Sequence, residues 1–508
     1  MRKALTIVAT SLVVAVHAAT AHAAPAPTAS AISAPLAAIH LEAEDAQLTG
    51  TQRETRRTDF SGKGYISGFD ADGDKITWNI TNARAGLYDA RVRYNASMGE
   101  KGFDVVVNDR KVSGMFEKTG DAWSTSAPLK VELKEGANTL SIEKSWGYYD
   151  IDAVDLAPAV IDMTLKKVPA TLADPKAGPS ARALMRYLAS SYGAQTLSGQ
   201  TEIEEAEYIR GVSGKMPVII GADFMDYSPS RVEHGTKAKL STEQIIALGR
   251  DGHIITMHWH WNAPKDLIDK EYTDAEGKVV KAFWHSGFYT FATTFDLQKA
   301  LADPKSPDFK LLLRDIDVIA IQLKKLDAAG LPVLWRPLHE AEGGWFWWGA
   351  KGPEPFKQLW RLMFDRITRH HQIHNLIWVY SSGTKPEWYP GDKYVDIVGI
   401  DQYPGDWSDP LSGNWNILKK SFDGRKLLAL TEMGGVPDVE KMRRYGVLWS
   451  YFVSWQGDLG PRKIPAADLS RIYQSPLVIT RDEAKSFAPL RQKTATPAQK
   501  TTPAKPMR

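Results

Sequence analysis

Two glutamates, each at the end of a strand-like segment, are the side chains best suited to acid–base and nucleophilic chemistry. Glu340 closes the run WRPLHE at 335–340, and Glu432 lies within LALTEMGG at 428–435. Paired carboxylates on opposite sides of a sugar ring can cleave a glycosidic bond, because one protonates the leaving oxygen while the other attacks the anomeric carbon. A separation of about 5 Å gives retention of configuration, and a wider one gives inversion. The alternative for each glutamate is a structural ion pair.

Further polar and aromatic side chains end the neighbouring strand-like segments. We expect Arg336 to be an electrostatic partner in the site, Tyr403 to hydrogen-bond one carboxylate, and Trp455 to form a floor on which a sugar stacks. The alternatives are a structural salt bridge for Arg336, a packed ring with a satisfied hydroxyl for Tyr403, and core packing for Trp455. His258 and His260 lie two apart in a strand and so face the same way. Such a pair can ligate zinc, but no convincing set of further ligands accompanies it. We therefore expect one histidine to contact sugar and the other to fill the interior of the fold.

The elements that position these residues alternate between strand-like and helix-like segments from about residue 180 to residue 460. Eight candidate strands lie at 195–199, 217–223, 254–259, 332–337, 376–381, 397–402, 427–431 and 447–453, with amphipathic stretches such as 309–329 and 355–374 between them. This alternation predicts an α/β fold, a (β/α)8 TIM barrel, whose catalytic residues lie at the C-terminal ends of the strands. Glu340 and Glu432 then follow the fourth and seventh strands and can face one cleft. A doubly wound open sheet is the alternative, but no Gly-rich phosphate loop follows the first strand.

An earlier region, residues 39–157, has short alternating segments separated by turn signals, which is typical of a small all-β sandwich with a jelly-roll-like arrangement. Residues 24–38 are rich in Ala, Pro and Ser, and residues 158–180 contain four prolines, so both are predicted linkers. The barrel domain is then expected over 181–488. The Thr/Pro/Lys-rich tail at 489–508 is predicted to be disordered.

Composition narrows the function classes. The 508 residues contain no cysteine, which excludes disulfides, a thiolate nucleophile and a Cys-ligated metal. The net charge is +3, but seven of the 63 basic residues lie at the two ends, so the rest holds fewer basic residues than the 60 acidic ones. No nucleic-acid partner is therefore expected.

The N-terminus indicates export. Arg2 and Lys3 precede an apolar run at 4–16 and then small residues that end in Ala21-His22-Ala23, so residues 1–23 are predicted to be a signal peptide. The apolar run is shorter than the roughly 20 residues of a membrane anchor. We expect a secreted protein, extracellular or periplasmic, without a membrane association and monomeric.

Several motifs together resemble glycoside hydrolase family 26. They are SGQTE (198–202), GADFMDY (221–227), WRPLHE with GGWFWWG (335–349), EWYPGDKYVDIVGIDQYP (387–404) and LALTEMGG (428–435). The resemblance implies a retaining endo-β-1,4-mannanase on a (β/α)8 barrel that needs no cofactor for catalysis, with β-mannan as its substrate. The family also contains β-1,3-xylanases and mixed-linkage glucanases, so another β-glycan is an alternative substrate. A polysaccharide-binding protein that has lost catalysis is a further alternative.

The same resemblance implies roles residue by residue. Glu340 matches the general acid/base and Glu432 the nucleophile. The substrate-binding positions that match are His260, His339, Trp345, Tyr403 and Trp455, to which Arg336 is added from its place at the strand end. The sequence departs from the family pattern at Ala341-Glu342, where many members carry asparagine after the acid.

The N-terminal region resembles carbohydrate-binding module family 35. The matching pieces are LEAEDA (41–46), GLYDARVRY (86–94), KEGANTLSIEK (134–144) and WGYYDIDAVDL (146–156). The resemblance implies a structural calcium held by Glu42, Glu44 and Asp152, for which the alternative is charges that protect an edge strand. It also implies a sugar platform made of Trp146, Tyr148 and Tyr149, for which the alternative is partial core packing.

Overall fold

Residues 37–484, with the exception of Glu276, are described by a computed structural model of the chain. Contacts within the chain divide it between Val160 and Ile161 into two units. The predicted signal peptide, most of the leader linker at 24–38 and the predicted tail at 489–508 lie outside the described residues. Among the described residues, no helix combines the length and the apolar character that a membrane span requires.

The N-terminal unit consists of two antiparallel sheets. Its strands are β1 (Ile39–Glu42), β2 (Gln47–Thr49), β3 (Gln52–Glu54), β4 (Tyr65–Ser67), β5 (Lys75–Ala83), β6 (Gly86–Asn95), β7 (Lys101–Val107), β8 (Arg110–Phe116), β9 (Ser124–Thr125), β10 (Leu129–Leu133), β11 (Gly136–Lys144) and β12 (Asp150–Pro158). One sheet has the order β10-β6-β12-β4-β3, with β1 paired to β12 and β9 to β6, and the other has the order β2-β5-β11-β7-β8.

The alternation of buried and exposed residues explains why these strands form a sandwich. In β5 the residues at positions 76, 78 and 80 are buried, whereas their neighbours are more exposed, as expected for a strand with one face on a core. Ile76 and Leu140 from one sheet and Val92 and Val154 from the other belong to a single hydrophobic core. The predicted all-β sandwich is confirmed.

The C-terminal unit is a closed barrel of eight parallel strands, in the order β14-β15-β16-β19-β20-β21-β22-β23. The strands of this unit are β13 (Thr196–Leu197), β14 (Gly199–Thr201), β15 (Ile219–Asp223), β16 (Ile254–Trp259), β17 (Lys270–Thr273), β18 (Val279–Ala282), β19 (Val333–Pro337), β20 (Leu376–Tyr380), β21 (Ile397–Gln402), β22 (Leu427–Met433), β23 (Phe452–Ser454) and β24 (Val478–Ile479). The predicted barrel is confirmed, and the open doubly wound sheet is excluded.

The bounds of the first barrel strand differ from the prediction. The segment predicted at 195–199 is mostly outside the barrel, because β13 pairs in parallel with β24 and the barrel strand β14 begins only at Gly199. The eighth strand likewise begins at Phe452, later than the predicted residue 447. Short barrel strands give too little periodicity for the sequence to locate their ends.

Helices connect the barrel strands. They are α1 (Pro179–Ser191), α2 (Ile203–Ser213), α3 (Pro229–Glu233), α4 (Thr242–Arg250), α5 (Leu297–Ala302), α6 (Pro307–Ala328), α7 (Pro353–Asp365), α8 (Ser412–Phe422), α9 (Val439–Arg444) and α10 (Ala466–Gln474). Helix α6 corresponds to the amphipathic stretch predicted at 309–329. It begins after Ser306, whose hydroxyl accepts a hydrogen bond from the N–H of Phe309, and Pro307 stands at its first position. The stretch predicted at 355–374 is α7 followed by a π-helical turn, Arg366–His370.

The segment between β12 and α1 has no regular secondary structure, and from residue 161 it packs on the barrel unit. The N–H of Lys166 donates to Asp423, and the N–H of Ala173 donates to Asp396. Val168 is buried in the same core as α1. This part of the predicted 158–180 linker is therefore held against the barrel by specific contacts.

Candidate active site

The two predicted glutamates lie at the C-terminal rim of the barrel and act on each other electrostatically. Glu432 is inside β22 and is 3% exposed, whereas Glu340 follows β19 and is partly exposed. Burial and the negative charge of Glu432 raise the pKa of Glu340. A carboxyl group with a raised pKa keeps its proton closer to neutral pH, which suits a general acid.

Both carboxylate oxygens of Glu432 accept a strong hydrogen bond. Arg336 Nη2 lies 2.5 Å from Glu432 Oε2, and the hydroxyl of Tyr403 donates to Oε1 across 2.5 Å. Burial and the charge of Glu432 raise the pKa of Tyr403, so the phenol stays protonated and remains a donor. These contacts fix the orientation of the carboxylate, as a nucleophile requires.

Arg336 joins Glu432 to a second buried carboxylate, that of Asp401 at the end of β21. Its Nη1 lies 2.6 Å from Asp401 Oδ2, and the Asp401 side chain is 1% exposed. Thr431 also donates to this carboxylate, across 2.7 Å. Burial raises the pKa of Asp401. The sequence reasoning missed Asp401, although it stands two positions before Tyr403 at the same strand end.

The partner of Glu340 is the indole of Trp345, whose Nε1–H donates to Glu340 Oε2 across 2.9 Å. The indole is 47% exposed and so presents a face to the cleft. Trp455, the other predicted aromatic wall, follows β23, and its backbone N–H donates to the carbonyl of Met433 beside Glu432. The structure thus brings both tryptophans to the rim that carries the glutamates.

A chain of hydrogen bonds connects two of the predicted histidines to Asp223 at the end of β15. Asp223 Oδ2 lies 2.6 Å from His260 Nδ1, and His260 Nε2 lies 3.2 Å from His339 Nε2. Asp223 Oδ2 therefore accepts a hydrogen bond from the Nδ1–H of His260, which leaves His260 Nε2 to accept a hydrogen bond from the Nε2–H of His339. Burial and the charge of Arg336 lower the pKa of His339 well below its usual range, so this histidine is neutral.

His258 is the buried member of the pair on β16 and lies 3.4 Å from Asp223 Oδ2. Burial would raise the pKa of Asp223, but His258 and His260 lower it well below its usual range. Ligand atoms of Asp223, His258 and His260 lie within 4.8 Å of one another. If a metal ion were bound by the His258 and His260 pair, Asp223 would be its third ligand. Sequence reasoning missed Asp223. Its position at the end of the second barrel strand could have indicated a place in the site.

Tyr289 is a further missed residue, from the long loop after β16. Its ring stacks on Phe346 with centroids 5.3 Å apart, next to the segment that carries Glu340 and Trp345. Burial, together with the charges of Glu340 and Glu432, raises the pKa of Tyr289. Tyr289 lies far in sequence from every motif, so there was no reason from the sequence to place it in the site.

In the N-terminal unit, two of the three predicted platform residues are accessible. Trp146 is 58% exposed and Tyr148 is 56% exposed. Tyr149, in contrast, is 3% exposed and stacks on Phe69 with centroids 4.8 Å apart. The prediction for Tyr149 is wrong, because this ring packs into the hydrophobic core of the sandwich.

The three predicted calcium ligands surround the turn at Ser61 and Gly62. Ser61 Oγ lies 2.7 Å from Glu42 Oε2 and 3.2 Å from Asp152 Oδ2. Glu44 Oε2 is buried without a hydrogen-bond partner, and a Cβ at position 62 would lie 2.1 Å from Glu44 Oε1. The orphaned oxygen of Glu44 and the nearby carboxylate of Glu42 suit a hard cation.

Asp152 fits the calcium prediction less well. It is fully buried and already paired with the guanidinium of Arg93. In the described part of the chain, the ligand atoms of these three carboxylates also do not all lie within 4.8 Å of one another. Asp152 would have to release Arg93 to bind an ion, so the calcium stays a prediction.

Comparisons with known proteins agree in both units. The model of glycosyl hydrolase family 26 matches residues 173–483, and that of carbohydrate binding module family 35 matches residues 39–159. A mannan endo-1,4-β-mannosidase of Thermothelomyces thermophilus is 42% identical over 481 residues, which are 92% of this chain and 96% of the relative. A mannan endo-1,4-β-mannosidase A of Piromyces sp. is 31% identical over 464 residues, which are 88% of this chain and 73% of the relative.

Two crystal structures extend the comparison. A Podospora anserina GH26-CBM35 β-(1,4)-mannanase shows 43% identity and a TM-score of 0.64 over 89% of this chain and 99% of that chain. A ruminal GH26 endo-β-1,4-mannanase shows 28% identity and a TM-score of 0.66 over 88% of this chain and 98% of that chain. The resemblance inferred from sequence motifs is confirmed for both regions.

Proposed function

The chain belongs to glycosyl hydrolase family 26, and on this premise we propose that it is a secreted endo-β-1,4-mannanase that hydrolyses β-mannan with retention of configuration. The mannan endo-1,4-β-mannosidases that resemble most of the chain support the substrate class. The observation that carries the proposal is the difference between the two glutamates. Glu432 is buried and held by Arg336 and Tyr403, whereas Glu340 has a raised pKa and faces the cleft.

The reaction begins with attack of a Glu432 oxygen on the anomeric carbon of the bound mannoside. The bond from this carbon to the leaving oxygen breaks, and Glu340 gives its proton to that oxygen. The product is a covalent ester between the sugar and Glu432. Glu340, now a carboxylate, takes a proton from a water molecule whose oxygen attacks the same carbon and releases Glu432.

The remaining residues serve binding and orientation. Arg336 and Tyr403 hold Glu432 along the line of attack, and Trp345 and Trp455 supply apolar faces for the sugar ring. Asp223 and His339 hold both ring nitrogens of His260, so its proposed contact with the sugar is made by the imidazole ring and not through a ring nitrogen. Membership of glycosyl hydrolase family 26 supports catalysis without a cofactor.

The accompanying module is proposed to bind mannan through Trp146 and Tyr148 and so to raise the effective substrate concentration at the barrel. Export through the segment at 1–23 would then bring the enzyme to a polymer that cannot enter the cell. N-terminal sequencing of protein recovered outside the cytoplasm tests export. A start near Ala24 is the expected result, and retention of Met1 in the mature protein would contradict it.

Product analysis on galactomannan, with xylan and mixed-linkage β-glucan in parallel, tests the function. We expect a ladder of manno-oligosaccharides from galactomannan and little release from the other two. Mannobiose alone would indicate exo action, and activity only on xylan or glucan would replace the substrate. Inactivity on all three would favour a polysaccharide-binding protein.

Two variants test the assigned roles. Glu432→Ala is expected to abolish turnover, and appreciable residual activity would remove Glu432 as the nucleophile. Glu340→Ala is expected to slow the enzyme less on substrates with good leaving groups, because these need no protonation. Retention of activity after treatment with a chelator would exclude hydrolysis by a metal at His258 and His260.

A further inference from the structure

The backbone around Glu340 adopts a conformation that ordinary residues avoid. Leu338 has φ of 52° and Glu340 has φ of 53°, so two residues with side chains occupy the left-handed region on either side of His339. Each such residue costs on the order of 1–3 kcal/mol and persists only where the surroundings hold it. Contacts from outside the segment 338–344 must therefore keep Glu340 in place.

These contacts come from residues 381–385, which follow the next barrel strand, β20. The N–H of Glu340 donates to the carbonyl of Ser381 across 2.8 Å. The hydroxyl of Ser382 lies 3.2 Å from the N of Ala341 and 3.3 Å from the carbonyl oxygen of Leu338. Two consecutive serines thus bind the backbone of both residues in the left-handed region, Leu338 and Glu340.

Glu342 adds a charged contact to the same pair of segments. Its carboxylate accepts from the N–H of Thr384 across 3.4 Å and from the N–H of Lys385 across 3.2 Å. A Cβ at Gly383 would lie 1.6 Å from Glu342 Oε1, so the carboxylate fills the space where a side chain at 383 would be. Position 383 also has φ of 78°, which favours glycine.

The segment that Glu342 anchors carries Trp345 as well as Glu340. A Cβ at Gly343 would lie 2.1 Å from the indole ring of Trp345, so the ring packs directly on the backbone next to Glu342. The same indole donates its hydrogen bond to Glu340. Movement of the Glu342 turn would therefore displace the carboxyl group and its hydrogen-bond donor together.

We propose that Glu342 is a positioning residue for the general acid: its carboxylate binds the 383–385 turn and thereby fixes where the carboxyl group of Glu340 meets the leaving oxygen. This inference rests on the acid role of Glu340 in the proposed function. The carboxylate offers a separate oxygen to each of the two N–H groups, whereas an amide has a single acceptor oxygen.

The test compares substrates that differ in their need for an acid. We would measure kcat/KM, which reports formation of the glycosyl-enzyme, for Glu342→Ala and Glu342→Gln on mannopentaose and on 2,4-dinitrophenyl β-mannobioside. Displacement of a catalytic group by about 1 Å costs on the order of 100-fold. We expect Glu342→Ala to lose about 10- to 100-fold on mannopentaose and less than about threefold on the dinitrophenyl substrate. Glu342→Gln, which retains one acceptor oxygen, should fall between.

Asp396 offers a matched control, because its buried carboxylate also accepts from two backbone N–H groups, those of Ala173 and Trp378. It precedes β21 and so lies at the barrel end opposite to the glutamates. Asp396→Asn is expected to reduce kcat/KM by the same factor on both substrates, since it changes only the folded fraction. An equal loss on both substrates for the Glu342 variants, or no loss at all, would overturn the inference.

Glu340→Ala in the same assay separates this inference from the function on which it rests. Selective loss on mannopentaose for Glu340→Ala, with an equal loss on both substrates for Glu342→Ala, would refute only the role of Glu342. Equal loss on both substrates for Glu340→Ala would refute the acid role itself and with it the proposed function.

Discussion

Replacement of Trp345 by phenylalanine should move the alkaline limb of the pH profile to higher pH. The substitution keeps an aromatic face but removes the Nε1–H that donates to Glu340 Oε2. That hydrogen bond stabilises the ionised carboxylate and so lowers the pKa of Glu340, against the larger effects of burial and of Glu432, which raise it. Without the indole donor the pKa of Glu340 rises further.

The size of the shift follows from the strength of the bond. A hydrogen bond to a charged group contributes about 1.5–3 kcal/mol, and 1.36 kcal/mol corresponds to about one pKa unit. Since Trp345 is 47% exposed, water replaces part of the lost interaction, and we expect a shift of about 0.5–1 unit. Glu340 must be protonated to act as the acid, so a higher pKa extends activity to higher pH.

The assay is kcat/KM on mannopentaose from about pH 4 to pH 9, because this parameter reports the ionisations of the free enzyme. Trp455→Phe is the control, since Trp455 has no hydrogen bond to Glu340 among the described contacts and should lower the amplitude without moving the limb. An alkaline limb for Trp345→Phe that stays in place or moves to lower pH would refute the reasoning.

Three further predictions concern the ion pairs of Arg336 and the N-terminal unit. Arg336→Met leaves Asp401 and Glu432 buried without their cation and should lower the free energy of unfolding by about 3–5 kcal/mol near pH 7. Because burial raises the pKa of Asp401, protonation of this carboxylate should reduce the loss of stability as the pH falls. The free energy of unfolding is measured by denaturant unfolding at pH 7 and pH 5, and a loss at pH 5 as large as that at pH 7 would contradict the account. Deletion of residues 24–160 should reduce activity on insoluble mannan more than on soluble substrate, whereas equal losses would indicate a role in folding. Chelation should lower the unfolding temperature of the N-terminal unit while activity on soluble mannan stays unchanged, and an unchanged unfolding temperature would count against the calcium prediction.

The sequence predicted the barrel and the pair of glutamates because both depend on local patterns. Strand-like and helical segments alternate, and each glutamate stands directly after or within a strand, where the barrel geometry fixes its direction. The sandwich followed in the same way from alternating segments. The limits of the first barrel strand could not be predicted from local patterns, because Thr196–Leu197 pair with Val478–Ile479, which lie nearly 300 positions away in the sequence.

Asp401 and Asp223, two aspartates that hold predicted site residues, were harder to predict for a physical reason. Asp401 and Asp223 act through buried contacts with Arg336 and His260, and such contacts depend on which strands become neighbours rather than on spacing in the sequence. Tyr149 shows the opposite limit. Three adjacent aromatics indicated a platform, but a shift of one position along the chain separates an exposed ring from a buried one.

The most direct test of the central claim is to trap the glycosyl-enzyme with 2-deoxy-2-fluoro-β-mannosyl fluoride and to locate the sugar by peptide mass spectrometry. The account predicts one fluoromannosyl group per chain, attached to Glu432. Attachment to any other residue, or turnover of good substrates through a protein that never becomes labelled, would contradict the assignment of Glu432 as the nucleophile.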